Sequence, residues 1–212
     1  MKKILTAAVF MTVIAALVFG TYRYSHSQEY RIQKEIADNI IRFHIRAASD
    51  SEEDQRLKLK VKDAVVKYMK GQLADADSLD EARNILYDDT DSIRELALKV
   101  IKDEGYAYDV NVYFERSYFP MKTYGDMSFP PGEYEAFRVD IGEADGKNWW
   151  CVLFPPLCFV DQTYTIVPDD TKNMFRNVLS DEAYDAITMH DLENDDYQVG
   201  FKYLTFLNKF FQ

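Results

Sequence analysis

Residues 149–154, WWCVLF, form an apolar run that stops at Pro155 and Pro156 and is followed by a second cysteine, Cys158. A stretch apolar on both faces must be covered on both faces, so it reads as a strand in the middle of a sheet. The two prolines fix φ and cannot continue a central ladder, so the chain bends between Cys151 and Cys158. Trp149 and Trp150 are neighbours and therefore fall on opposite faces. One of them belongs to the core and the other offers a ledge, or both are covered; the residues leave both readings open.

What two cysteines mean depends on compartment. The chain opens MKK and then carries no charge until Arg23, the plan of an export signal with a positive end and an apolar stretch. Residues 1–27 are expected to act as a signal peptide or, uncleaved, as a membrane anchor, leaving one domain over 28–212. In an exported chain two cysteines form a bridge more often than a metal site, and with only two the pairing is Cys151 with Cys158. The apolar flanks VLF and FV would raise a thiol pKa, which argues against a reactive cysteine. The spacing is not that of a zinc site, and no cofactor motif is present. Loss of Lys2, Lys3 and Arg23 with the leader takes the formal net charge from −11 to −14. A polyanion of this kind excludes nucleic acid as a partner and limits membrane contact to the N-terminal segment.

Residues 40–46 alternate Ile41, Phe43 and Ile45 with Arg42, His44 and Arg46, as in a half-buried strand. A helix is expected from Ser51, with Leu57, Val61, Ala64, Val65 and Tyr68 on one stripe and Gly71 as its stop. Ser78 and Glu81 form a capping box, and Ile93, Leu96, Ala97, Val100 and Ile101 mark a further helix ending before Gly105. Alternation returns at Val110, Val112 and Phe114 and at Phe137, Val139 and Ile141. The stretch SYFPMKTYGDMSFPPGEYEAFRV (117–139) reads as an ordered surface loop with its mixture of Pro, Gly and aromatic residues. Asp145-Gly146 is a turn signal expected to fold the third strand back onto WWCVLF as a hairpin. Helices follow Pro168, with Ser180 as a cap and a final apolar stripe at Tyr203, Leu204, Leu207, Phe210 and Phe211. The predicted class is α+β: a small, mainly antiparallel sheet with helices packed against it, after an N-terminal signal or anchor helix.

A catalytic reading needs a base, and the histidines are His26, His44 and His190. Asp50, Glu53, Asp54 and Asp63 give carboxylates near His44 in sequence, but acidic runs at this place are ordinary helix starts. No Gly-x-Ser-x-Gly elbow appears. An exported hydrolase with His44 as base, assisted by Asp50 or a cysteine, stays the rival to a non-catalytic binding module.

Two blocks, RFHIRAASDSEEDQRLKLKVKDAV (42–65) and TYGDMSFPPGEYEAFRVDIGEADGKNWWCVLFPPLCFVD (123–161), resemble the stage II sporulation protein R family of endospore-forming bacteria. They cover a little under a third of the chain. The resemblance implies a signalling protein exported from the forespore into the space between forespore and mother-cell membranes. There it would activate a membrane-embedded aspartic protease of the mother-cell membrane, which processes the precursor of a sporulation sigma factor. It implies a non-catalytic activator. His44, Asp50, Tyr124, Trp149 and Trp150 are the candidate contact residues.

Overall fold

The computed structural model describes residues 2–159 and 166–188. The expected C-terminal helical stripe and His190 lie outside these residues. A long helix, α1 (Lys2–Asp38), leads into β1 (Ile41–Arg46), then α2 (Glu52–Gln72), α3 (Leu79–Asp88) and α4 (Thr90–Asp103). The strands β2 (Val110–Phe119), β3 (Lys122–Tyr124), β4 (Met127–Phe129), β5 (Gly132–Ile141) and β6 (Asn148–Phe154) follow, and α5 (Asp169–Val178) and α6 (Asp181–Ile187) come last.

Local chemistry places the helix ends. The Ser51 hydroxyl accepts from the Asp54 N–H at 3.1 Å and opens α2. Ser78 accepts from Glu81 N–H at 3.2 Å while Glu81 takes the Asp77 N–H, a capping box displaced by one residue. Ser180 caps α6 in the same way. At the end of α4, Gly105 turns out of the helix with φ 83°. Gly71 does not stop α2, which runs on to Gln72 and Leu73.

The main sheet has the order β2-β5-β1-β6. β2–β5 and β1–β6 are antiparallel, and β1–β5 is parallel, so the sheet is α+β in context and mainly antiparallel in pairing. Two expectations are corrected here. The run NWWCVLF lies at an edge, and the central position next to β5 belongs to β1. Nor do β5 and β6 form a hairpin, because β1 is inserted between them. The Asp145-Gly146 stretch instead clasps the end of β1: Asp145 N–H donates to Ala48 O at 3.3 Å and Gly146 N–H to Ala47 O at 3.0 Å. A Cβ on Gly146 would sit 2.2 Å from Ser49 O, so close backbone approach is what the glycine provides.

The sheet divides two cores. On one face Ile41, Phe43 and Ile45 meet Phe137, Val139 and Ile141 and the stripes Leu57, Val61, Val65 of α2 and Ile93, Ala97, Ile101 of α4. Each fully buried side chain of this size contributes about 1.5–3 kcal/mol by leaving water. The other face carries the even-numbered residues of β1. There Ile36, Ala37 and Ile40 from the end of α1 pack with Phe119, Met127, Phe129, Tyr134, Val152, Phe175 and Ile187. Arg42 and His44 lie under this second layer, 0% and 2% exposed. The polar side of β1 is thus interior, contrary to the half-buried strand that its alternation suggests. The last turn of α1 is part of the domain, and the expected boundary after residue 27 falls inside this helix. Among the described residues no helix is long and apolar enough to cross a membrane.

The expected surface loop contains a small hairpin, β3 with β4, turned at Gly125 with φ 56°. Behind β6 the chain bends as the prolines require: Leu157 and Cys158 both donate their N–H to Val152 O, at 3.1 and 3.0 Å. Cys151 and Cys158 are joined in a disulfide across Cα atoms 5.4 Å apart, and Phe154-Pro155 is a cis peptide.

Candidate functional site

The second face of the sheet is polar where the apolar layer ends. Register lines up four residues in one row: Tyr113 on β2, Arg138 on β5, His44 on β1 and Trp150 on β6. The next row toward the open end holds Asn111, Asp140, Arg46 and Asn148. Period-two alternation on four strands puts all eight on one face.

These side chains mostly satisfy one another. Arg138 donates from Nε to Asp140 Oδ1 at 2.8 Å and from Nη1 to Glu115 Oε1 at 2.9 Å. Tyr113 donates its hydroxyl to Asp140 Oδ2 at 2.9 Å. His44 Nε2 lies 3.2 Å from Glu115 Oε1, and Nδ1 lies 3.4 Å from Asn148 Oδ1. Burial, then the Arg138 charge, hold the His44 pKa below its ordinary value, outweighing Glu115. At neutral pH the imidazole is uncharged, so its contact with Glu115 is a hydrogen bond and not an ion pair. Burial acts to raise the Glu115 carboxyl, but Arg138 outweighs it and keeps the group below the usual carboxylate range. Burial and the Asp140 carboxylate push the Tyr113 phenol up to about 12.

Trp150 stacks on His44 and meets Phe119 edge-on at 4.7 Å. Trp149, on the opposite face, packs edge-on against Phe43 at 6.1 Å under the Lys62 ammonium, which lies 5.1 Å from its ring. Both indoles are half-buried, one per face. Asp50 is exposed and is not a partner of His44. It accepts the Lys147 N–H at 2.7 Å, and Lys58 donates to Lys147 O at 2.9 Å, so Asp50 helps pin the loop before β6 to the start of α2. Asp54 belongs to the same cap, with Ser49 and Ser51.

Tyr124 sits apart from the polar row, beside Arg42. The Arg42 guanidinium lies 4.6 Å from the Phe119 ring centroid, 5.1 Å from Tyr134, 5.5 Å from Phe129 and 5.9 Å from Tyr124. Burial lowers its pKa, but guanidinium keeps its proton at any physiological pH. Among the described residues no carboxylate pairs with it, and a buried ion so placed costs several kcal/mol, of which stacking on ring faces returns about 2.

The arrangement brings His44 and Trp150 together and leaves Asp50, Tyr124 and Trp149 at three other places. Sequence reasoning did not single out Glu115, Arg138, Asp140, Tyr113 or Asn148, although their alternation with Val112, Phe114, Phe137 and Val139 was the available signal. For the hydrolase reading, the cysteines are bridged and no serine or threonine hydroxyl bonds to His44 among the described residues. Among those residues no group of three or more His, Cys, Asp or Glu is placed to hold a metal.

Fold and site together define an α+β domain with a hydrogen-bonded polar face on a mixed sheet and a disulfide at the sheet edge. The chain belongs to the stage II sporulation protein R family, whose model matches residues 37–164, from the end of α1 through all the strands and beyond the disulfide. It is 41% identical over 164 residues to the stage II sporulation protein R of Bacillus subtilis (strain 168), a match covering 76% of this chain and 73% of the relative. No solved structure gives a significant match. The protein therefore has a role in sporulation.

Proposed function

We propose that this chain is an exported intercellular signal that activates a membrane-embedded aspartic protease, which in turn processes the precursor of a sporulation sigma factor. It acts from the space between forespore and mother-cell membranes and breaks no bond itself. Family membership supports the sporulation role. The charged-then-apolar leader and the Cys151–Cys158 bridge support export.

The observation that carries the reading is Trp150. It is a large indole left half-exposed at the edge of a sheet, on a face where Arg138, Glu115 and Asp140 are already paired with one another. Such an aromatic anchor with a satisfied polar surround is the usual composition of a recognition surface. Activation then requires that this face bind the active form of the protease more tightly than the inactive one.

The test is co-expression of the chain, the protease and the sigma-factor precursor in a cell lacking other sporulation proteins. Shortening of the precursor should require the chain and should fail with Trp150→Ala protein that is exported at normal level. Shortening that proceeds without the chain would refute the proposal.

A further inference from the structure

Arg42 is fully buried, yet among the described residues no carboxylate pairs with it. Among the described residues its hydrogen bonding is limited to one long contact, Nη2 to the Tyr124 hydroxyl at 3.4 Å, while Nε and Nη1 have no acceptor. Ordinary N–H···O bonds are 2.7–3.2 Å, so even this contact is weak. Ring faces attract the charge but accept none of its directed hydrogens. Among the described residues the side chain is a cation whose Nε and Nη1 hydrogens meet no acceptor.

Two of the four rings around it, Tyr124 and Phe129, come from the β3–β4 hairpin. That hairpin has three residues per strand, and among the described residues its ladder outside itself is a single bridge from Met127 to Thr188. Two-stranded hairpins are marginal alone, so this one is held by its contacts. Asp126 supplies the main latch: it accepts the Val167 N–H at 2.8 Å and pairs with Lys172. The other two rings, Phe119 and Tyr134, are on the long strands β2 and β5, and Arg42 itself is on the central strand. Raising the hairpin would uncover the guanidinium between two fixed walls.

We propose that Arg42 is a binding site for a carboxylate, covered at rest by the β3–β4 hairpin, with the Tyr124 hydroxyl standing where a carboxylate oxygen sits once the hairpin lifts. The planar fork of a guanidinium fits a carboxylate through two parallel bonds. One cation matches one negative charge; a doubly charged phosphate would leave excess charge among the rings of a chain already at −11. The carboxylate is that of a free small acid or of an Asp or Glu side chain in a peptide. The inference goes beyond protease activation and does not depend on it, since the purified protein suffices to test it.

The experiment follows Tm at neutral pH in sodium formate and in sodium chloride of equal ionic strength. A second arm uses a blocked Gly-Glu-Gly tripeptide and its Gln counterpart. Wild type should show a saturable rise of roughly 3 to 5 °C at a tenfold excess of anion over its Kd. Arg42→Met should remove that rise. A response to formate alone assigns a small acid, and a response to the Glu but not the Gln peptide assigns a peptide side chain; both support the site. Tyr124→Phe, which deletes the competing hydroxyl, should keep or enlarge the response and serves where Arg42→Met fails to fold. Equal Tm in all four solutions for wild type and Tyr124→Phe overturns the proposal, as does a full response in folded Arg42→Met protein.

Discussion

The imidazole of His44 lies flat against the indole of Trp150, ring centroids 5.0 Å apart and planes within 1° of parallel. They are register partners on β1 and β6, so the stack bridges the central strand and the edge strand. An uncharged imidazole suits this place, because the indole covers it from water while Glu115 accepts its Nε2 proton.

Trp150→Ala should therefore do two things at once. It removes an aromatic pair worth about 0.5–1.5 kcal/mol and the area the indole covers, for a loss of about 2 kcal/mol in all. It also admits water to His44, whose pKa should move back toward 6.5. Urea unfolding reads the first effect, and the imidazole chemical shift against pH reads the second. Trp150→Phe keeps a ring on the histidine and should lose less than half as much on both counts.

The same histidine makes stability depend on pH. Its folded pKa is below the ordinary 6.5, so the unfolded chain takes up a proton first as pH falls. Stability should be level above about pH 7 and fall as pH drops through 6.5 toward 5. Below about pH 4.5 Glu115 adds to the loss, since its folded pKa is also depressed and its contribution disappears on protonation. His44→Phe should flatten the upper window and leave the lower one. Chemical denaturation at half-unit pH steps checks the shape.

Much of this fold is legible in local chemistry. Ser51, Ser78 and Ser180 cap the helices where their sequence contexts place them, and the alternating residues of β1, β2 and β5 face as their period requires. What is not legible is nonlocal. The parallel pairing of β1 with β5 joins residues about ninety apart in sequence, and no local signal encodes it. Asp145-Gly146 looks like a hairpin turn because glycine serves both tight turns and close packing; only the Ser49 carbonyl 2.2 Å from its missing Cβ separates the two. Arg42 and His44 look solvated because they are polar, and the layer that covers them comes from α1, the β3–β4 hairpin, α5 and α6. The site suffers from the same limit. His44 and Trp150 stand out as residue types, whereas Glu115, Arg138 and Asp140 look like ordinary outward charges until the register brings them together.

The Cys151–Cys158 bridge closes a loop with a sequence separation of only 7, so its chain-entropy contribution is modest, about 2 kcal/mol. Cys151→Ser with Cys158→Ser should fold, with an unfolding free energy lowered by that amount, read as a lower urea midpoint at an unchanged m-value. Intact mass after alkylation of unreduced wild-type protein should show no added groups, because both cysteines are bridged.

Gly146→Ala places a methyl group 2.2 Å from Ser49 O and 3.0 Å from the Ala47 side chain. Both obstacles belong to the turn from β1 into α2, and one is backbone, so relief requires moving the clasp itself. A loss of about 2–3 kcal/mol is expected, seen as a Tm lower by several degrees. Gly71→Ala is the matched control: nothing lies within 4 Å of its added Cβ, it is helical, and it should stabilise slightly.

Arg138 is the hub of the polar face, bound to Asp140 on its own strand and to Glu115 on the neighbouring one. Its side chain is 17% exposed and its partners 11% and 24%, so solvent screens the pairs only in part. Arg138→Met removes the cation and leaves Asp140 and Glu115 with only the neutral donors Tyr113 and His44, at a loss of about 2–3 kcal/mol. Glu115→Gln alone weakens one bond but keeps an acceptor, and should lose about 1 kcal/mol. In the double variant the neutral amide no longer needs the arginine, so the combined loss should be smaller than the sum by about 1 kcal/mol. Urea midpoints of the four proteins give this coupling directly, and strict additivity would mean that Arg138 and Glu115 act on stability independently despite their 2.9 Å contact. Loss of the Glu115 charge should also lower the imidazole pKa further, since that charge is one of the influences raising it.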